Sequence, residues 1–286
     1  MNRVLKTAGL LLLAWAAAAP AGAWFAGGHI VVAKIAHDRL STPAKVEADR
    51  LIGVLADFSP ARADFVSASV WLDEIKEVGW NTFDTWHYIS LPYNPEGLRG
   101  VPPALDNNAV AALEESLETL KNPDAGDLAR AFSLRVVIHL VGDLHQPLHC
   151  ISRFSKRLPQ GDRGGNDFPL ADKNLHLYWD AAAGLLGDLD SSSSSEDVAA
   201  AVEGLLQAVP EEAMPPWQGE EPLAWAQESY GLAVSVAYVG LIEGREPPES
   251  YRIRAQLVSQ RRLVTAGYRL AAVLEDALAP RFPATR

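Results

Sequence analysis

Eleven residues, His139-Leu-Val-Gly-Asp143-Leu-His145-Gln-Pro147-Leu-His149, constrain this chain more than any other segment. They hold three histidines and one aspartate. Before the proline they read as the end of a helix, which puts His139 and Asp143 at i and i+4 on one face. An imidazole and a carboxylate at that spacing can grip one divalent metal without bending the backbone. Pro147 ends the helix, so His149 leaves it aimed at a second point nearby. A fold that accepts this string must close a core around several metal-type side chains.

The surrounding pattern is helical. Apolar residues recur at helical spacing over Gly28 to Leu40, Thr42 to Leu55, Ala61 to Val78 and Asn107 to Leu120. Leu128 to Leu144 is apolar nearly all round and is expected at the centre. Ala171 to Leu185, Ser195 to Val209, Pro222 to Ile242 and Ser250 to Leu278 complete the helices. Extended pieces are expected only near Trp86-His87-Tyr88-Ile89 and in the loop from Arg153 to Pro169. The Pro- and Gly-rich stretches Leu91 to Pro103 and Pro159 to Gly165, and the serine tract in Asp188 to Ser195, read as loops. None separates regions of different composition. The expected fold is all-α, a single mainly helical domain, and a hydrophobic content of 48% among 286 residues supplies its core.

The chain opens as an export signal. Arg3 and Lys6 precede an apolar run from Leu10 to Ala19, Pro20 ends it, and Ala21-Gly-Ala23 is a small-residue cleavage site. Residues 1–23 are therefore expected to be cleaved, and 24–286 to form the domain. A periplasmic or secreted location follows, with no membrane anchor after cleavage. Cys150 is the only cysteine, so no internal disulfide can form, and it reads as a buried filler beside His149. Formal net charge is -11; losing Arg3 and Lys6 with the leader makes it -13. That excludes a broad basic face for nucleic acid, so an anionic ligand must be drawn in locally by bound cations.

More metal-type residues lie elsewhere. His176-Leu-Tyr-Trp-Asp180 repeats the i, i+4 pairing on a second helix. Asp73 lies in the amphipathic segment Ala68-Ser-Val-Trp71-Leu-Asp73-Glu-Ile-Lys76, His87 between Trp86 and Tyr88, and His29 five residues after the expected new N-terminus. Taken singly, His87 fits a core histidine, Asp73 a solvated or capping carboxylate, and His176 with Asp180 a surface pair. Together with the opening string they point to one cluster. His37, followed by Asp38 and Arg39, reads as surface.

In this order, Trp24 after a leader, His29, Trp71-Leu-Asp73-Glu-Ile-Lys76, Trp86-His87-Tyr88, the His139–His149 string, Gly164-Gly-Asn166 and Asn174-Leu-His176-x-x-Trp-Asp180 resemble the secreted zinc-dependent single-strand-specific nucleases that also act as 3′-nucleotidases. Bacterial zinc-dependent phospholipase C is a more distant relative of that family. The resemblance extends to Trp225-Ala-Gln-Glu-Ser229 and Ala266-Gly-Tyr-Arg-Leu270, nearly the whole of the expected mature chain.

The resemblance implies three zinc ions at the bottom of a cleft. Asp73, His87, His139 and Asp143 would hold one. His149, His176 and Asp180 would hold a second. The amine and carbonyl of Trp24, with His29 and Asp143, would hold a third, so that Asp143 bridges. It further implies hydrolysis of the bond between phosphorus and the 3′ oxygen in single-stranded DNA, RNA and 3′-nucleotides, leaving 5′-phosphates on nucleic acid. Asp73 would orient the nucleophile and Lys76 stabilise phosphate charge, with His145 behind the ligands. Tyr88 occupies the position of the family's stacking aromatic, and Asn166 that of a nucleotide contact. Arg163 fits a phosphate contact or a plain loop charge equally well. Ser90 stands where fungal members carry a base-reading aspartate, and their disulfides are absent. No stable protein partner is implied. The alternatives are a phospholipase C-type phosphodiesterase using the same metals, and a zinc-storage or structural protein; the matches at Tyr88 and Asn166 argue against the latter.

Overall fold

The computed structural model describes residues 24–211 and 221–279. The expected leader, residues 1–23, lies outside the described residues. The elements are α1 (Ala26–Arg39), α2 (Thr42–Val54), α3 (Trp71–Glu77), α4 (Ala109–Lys121), α5 (Asp127–Asp143), α6 (Leu175–Asp180), α7 (Ser195–Ala208), α8 (Pro222–Leu232) and α9 (Glu249–Leu278), with two short strands, β1 (Pro92–Tyr93) and β2 (Ser152–Arg153), paired in parallel. The fold is all-α, as the periodicity predicts. No helix among the described residues is long and apolar enough to cross a membrane.

α5 is the axis. Its residues from Ser133 to Asp143 are buried without interruption, and α1, α2, α4 and α9 pack around it. That is what a helix apolar on every face must do. Side-chain caps begin several of the others. Ser41 accepts from the Ala44 amide, Asn108 from those of Val110 and Ala111, Asn174 from Leu177, and Ser194 from Asp197. Each satisfies an amide that the first helical turn leaves without a partner. A second apolar cluster, with Leu148, Phe168, Leu175, Trp179 and Tyr251, seats α6 and the loop before it.

Three expected helices are shorter than the periodicity suggests. Ala61 to Val78 is broken into 3-10 turns at Pro60–Arg62 and Ser67–Val70 before α3. Asp64 accepts from the Ser67 amide, and Ser69 Oγ donates to the Val66 carbonyl, so side chains compete with the helical ladder. Ala171 to Leu185 reduces to α6, because Asn174 caps its start and Ala182 and Ala183 adopt left-handed backbone past its end. Pro222 to Ile242 passes into a π-turn at Ala233–Ala237, where Ser235 Oγ donates to the Gly231 carbonyl. The expected extended pieces are nearly in place. Residues 81–87 form a 3-10 helix, and the chain extends from Tyr88 into β1, which pairs with the start of the second expected segment.

Candidate metal centre

The i, i+4 pairs close as their spacing predicts. His139 Nε2 lies 3.3 Å from Asp143 Oδ2, and His176 Nε2 lies 3.6 Å from Asp180 Oδ2. The 3-10 helix before β1 brings His87 Nδ1 to 3.2 Å from Asp143 Oδ2 and 3.0 Å from His139 Nε2. α3 adds Asp73, with Oδ1 at 3.5 Å from His87 Nδ1 and Oδ2 at 3.8 Å from His139 Nε2. From α1, His29 Nε2 approaches the other oxygen of Asp143, Oδ1, at 3.3 Å. Asp143 thus faces different histidines through its two oxygens. The turn after Pro147 carries His149 to 3.7 Å from Asp180 Oδ1, beside His176. Donor atoms of His29, Asp73 and His139, of His87, His139 and Asp143, and of His149, His176 and Asp180 each lie within 4.8 Å of one another.

Backbone carbonyls orient the rings. The Nδ1 of His139 donates to Ser69 O at 2.7 Å, that of His149 to His87 O at 2.6 Å, and that of His176 to Gly164 O at 2.8 Å. A neutral imidazole committed to donating at Nδ1 presents a lone pair at Nε2, the form a metal binds. Two glycines allow this. A Cβ at Gly142 would sit 2.8 Å from His29 Nδ1, so only glycine lets α1 bring His29 against α5. Gly164 has φ +63, and a Cβ there would meet Leu148 O at 2.2 Å, so its carbonyl reaches His176 only as glycine.

Burial opposes ionisation of Asp143, but His139, His29 and His87 outweigh it and hold its carboxyl well below the usual range. Asp73 is held at about 2: burial opposes this too, and His139, His87 and Lys76 prevail. Burial lowers His29, His87 and His176. Asp143 and Asp73 raise His139 against its burial, and Asp180 raises His149. Carboxylates converging with imidazoles form the donor set that suits a divalent ion of the zinc type. His29 Nε2, Asp143 Oδ1, His149 Nε2 and Asp180 Oδ2 are buried without a hydrogen-bond partner. Each such atom left unmet costs about 1–3 kcal/mol. Cations at their convergence answer all four, so the residues fit metal ions.

A second layer, unread in the sequence, holds this arrangement. Gln146 Nε2 donates to Asp180 Oδ1 at 2.6 Å, and its Oε1 accepts from the Leu148 amide at 2.5 Å. Its position inside the histidine string was the only signal. His145 faces away from the cluster, as expected. Its Nδ1 donates to Val141 O at 2.7 Å, and its Nε2 accepts from Arg269 Nη1 at 3.0 Å. Burial, then Arg262 and Arg269, push its pKa well down. Glu228 on α8 pairs with both arginines. Trp24 is fully buried, and its indole Nε1 donates to Gly142 O at 3.1 Å. The next amide, of Phe25, donates to Asp180 O at 2.9 Å, so the Trp24 backbone lies between the two carboxylate-bearing turns. Cys150 is buried filler, and its pKa is pushed up to about 12 by burial. His37 sits at the surface, paired with Asp49.

Exposure marks the open side. Most ligand-type side chains are buried, but Asp73 is 22% accessible and Lys76, whose Nζ lies 2.8 Å from Asp73 Oδ1, is 10% accessible. Tyr88 stands 39% exposed directly after His87. Asn166 Nδ2 donates to Arg163 O at 2.8 Å on the loop above His176, and Arg163 points outward, paired with Asp167.

The family model of the S1/P1 nucleases matches residues 24–279. The chain belongs to the S1/P1 nuclease family. Endonuclease 2 of Arabidopsis thaliana is 27% identical over 88% of this chain and 89% of its own length. Endonuclease 5 of the same plant is 29% identical over the same shares. Nuclease S1 of Aspergillus oryzae is 24% identical over 55% of this chain and 53% of its own. This S1/P1-family member is accordingly a metal-dependent phosphodiesterase with nucleic acid as substrate.

Proposed function

We propose that this enzyme is an extracytoplasmic zinc-dependent endonuclease. In this reading it cleaves single-stranded DNA and RNA to 5′-phosphate products and removes the phosphate of 3′-nucleotides. The observation that carries the reading is the Asp143 carboxylate, whose two oxygens face His29 on one side and His87 with His139 on the other. A carboxylate so placed would offer one oxygen to each of two cations. A third set, His149, His176 and Asp180, stands beside it. In the assignment we favour, Asp73, His87, His139 and Asp143 would hold one zinc, His149, His176 and Asp180 a second, and Trp24, His29 and Asp143 a third.

Bound zinc ions supply Lewis acidity, lowering the pKa of water toward about 7 and neutralising charge on phosphate oxygens. The chain's own residues supply the rest. Asp73, ionised and partly accessible, accepts a hydrogen bond from the attacking water and orients it toward phosphorus. Lys76, held against Asp73, adds positive charge on the substrate side of the cluster. Tyr88 offers an exposed ring for a base, and stacking of this kind contributes about 1–3 kcal/mol per base. Asn166, tied to the Arg163 carbonyl on the loop before α6, serves as the nucleotide's polar contact. A base must leave its duplex neighbours to lie on Tyr88 with its phosphate at a buried cluster, which favours single strands.

Export, expected from the leader-like residues 1–23, would complete the same assignment. The amine of Trp24 can donate a lone pair to metal only after cleavage behind Ala23, because a peptide nitrogen has none to give.

The test is a substrate panel. Zinc-loaded protein beginning at Trp24 is incubated with single-stranded DNA, RNA, a 3′-mononucleotide and phosphatidylcholine. We expect 5′-phosphorylated oligonucleotides from the first two, and nucleoside with inorganic phosphate from the third. Release of choline phosphate with no cleavage of nucleic acid would overturn the proposal.

A further inference from the structure

Arg163 occupies backbone that disfavours it. Its φ is +53, a left-handed value that glycine or asparagine adopts more readily than arginine. Two left-handed glycines follow it, and the first presents its carbonyl to His176. The turn therefore aims the residue 164 carbonyl down at a metal-type histidine and the residue 163 side chain up into solvent. A non-glycine side chain held in such a conformation beside a site points to a use for that side chain.

The guanidinium is 72% exposed and forks onto Asp167, Nε to Oδ2 at 3.1 Å and Nη2 to Oδ1 at 2.8 Å. An exposed pair of this kind holds weakly against water and salt. Asp167 raises the Arg163 pKa further, and Tyr88 contributes to the same shift, so the guanidinium lies within electrostatic reach of the stacking ring. Asn166 is tied to its carbonyl. Lys76, the cation deeper in the site, is occupied by Asp73. The chain as a whole carries a net charge of -11 and repels a polyanion.

We infer that Arg163 is a specificity residue for polynucleotides: it exchanges Asp167 for the phosphate next to the scissile one. A guanidinium fork matches phosphate as well as it matches carboxylate. A 3′-mononucleotide has one phosphate, which goes to the metals, and leaves Arg163 on Asp167. A polymer presents a second phosphate at the rim and draws the arginine across. Asp167 is then a competitor for the arginine, as well as its anchor. This inference rests on the nuclease and 3′-nucleotidase reading of the site.

The experiment compares kcat/KM for a short single-stranded oligonucleotide with that for a 3′-mononucleotide, in wild type, R163Q and D167N, all zinc-loaded. R163Q is expected to lower the oligonucleotide-to-mononucleotide ratio at least fivefold. It should also reduce the slope of log KM against log salt for the oligonucleotide by about 0.7, the share of one lost phosphate contact on a single strand. D167N frees the arginine and is expected to raise the ratio two- to threefold. If the pair were only a latch for the loop, both variants would lower the ratio together, and that result overturns the inference. An unchanged ratio in R163Q overturns it as well. Failure of the underlying reading is distinguishable: wild type would then turn over neither substrate, and both proposals fall.

Discussion

Replacing Glu228 with glutamine tests whether charge holds the layer behind the metal cluster. Glu228 accepts from Arg262 Nη1 at 2.7 Å and from Arg269 Nη1 and Nη2 at 2.7 and 2.8 Å. Both arginines are buried, and both touch His145: Arg262 Nε donates to its carbonyl at 3.2 Å and Arg269 Nη1 to its ring at 3.0 Å. Burial opposes ionisation of Glu228, but the two guanidinium groups prevail and hold its carboxyl at about 2, against an ordinary 4.5. That gap corresponds to about 3.4 kcal/mol, taking about 1.36 kcal/mol per pH unit. The side chain is 33% exposed, so solvent screening reduces the figure to about 2 kcal/mol. Because the folded carboxyl is the stronger acid, this stabilisation is complete above about pH 4.5 and is lost as pH falls toward 2. Urea denaturation of the metal-free protein should find E228Q less stable by about 2 kcal/mol at pH 7, with the gap to wild type narrowing at pH 3. Equal stability at pH 7, or a gap independent of pH, refutes the reasoning.

Two further outcomes follow from the ligand geometry. Gly142→Ala puts a methyl 2.8 Å from His29 Nδ1 and 3.0 Å from its Cε1, which drives the ring off Asp143; the variant should bind about one zinc fewer per chain and lose at least tenfold in kcat, and full zinc content by elemental analysis would contradict this. Protein beginning at Ala23 should likewise bind less zinc and turn over more slowly than protein beginning at Trp24, because its residue 24 nitrogen is an amide; equal values would remove the Trp24 amine from the ligand set.

The parts of the site legible in the sequence are those carried by local spacing. His139 with Asp143, and His176 with Asp180, are one helical turn apart, and a turn brings such residues together whatever the rest of the chain does. Which oxygen of Asp143 meets which histidine depends on how closely α1 approaches α5. That approach is decided by the missing Cβ of Gly142, which periodicity does not report. Gln146 escaped notice because a neutral amide is not read as a metal-site residue, although it holds Asp180 at 2.6 Å. Arg262 and Arg269 fall within the helical pattern of Ser250 to Leu278, which by itself marks no buried charge. They lie seven residues apart, two turns on one face, and that face also carries the buried Ala266. Cations repeating along an apolar stripe were the available signal for a buried pair. The break in Ala61 to Val78 has the opposite origin. The apolar period was real, but Asp64, Ser67 and Ser69 offered the backbone other partners.

Asp143 also explains why folding and metal binding belong together here. It is the last residue of α5, where the helix dipole presents its negative end and disfavours an anion. It is fully buried, which disfavours the anion again. The carbonyls around it are met from outside the helix: Gly142 O by Trp24, Leu144 O by Ser229 Oγ at 2.5 Å, and His145 O by Arg262. These bonds relieve the exposed carbonyl ends but add no positive charge next to the carboxylate itself. That charge must come from the histidines when protonated, or from cations held between them. Burial lowers His29 and His87, while Asp143 and Asp73 raise His139, so His139 alone among the three is biased toward carrying charge, and cations held between the rings would supply the rest. The free energy of binding them thus enters directly into the stability of the α5 terminus, and with it the seating of α1, α3 and the His149 turn around it.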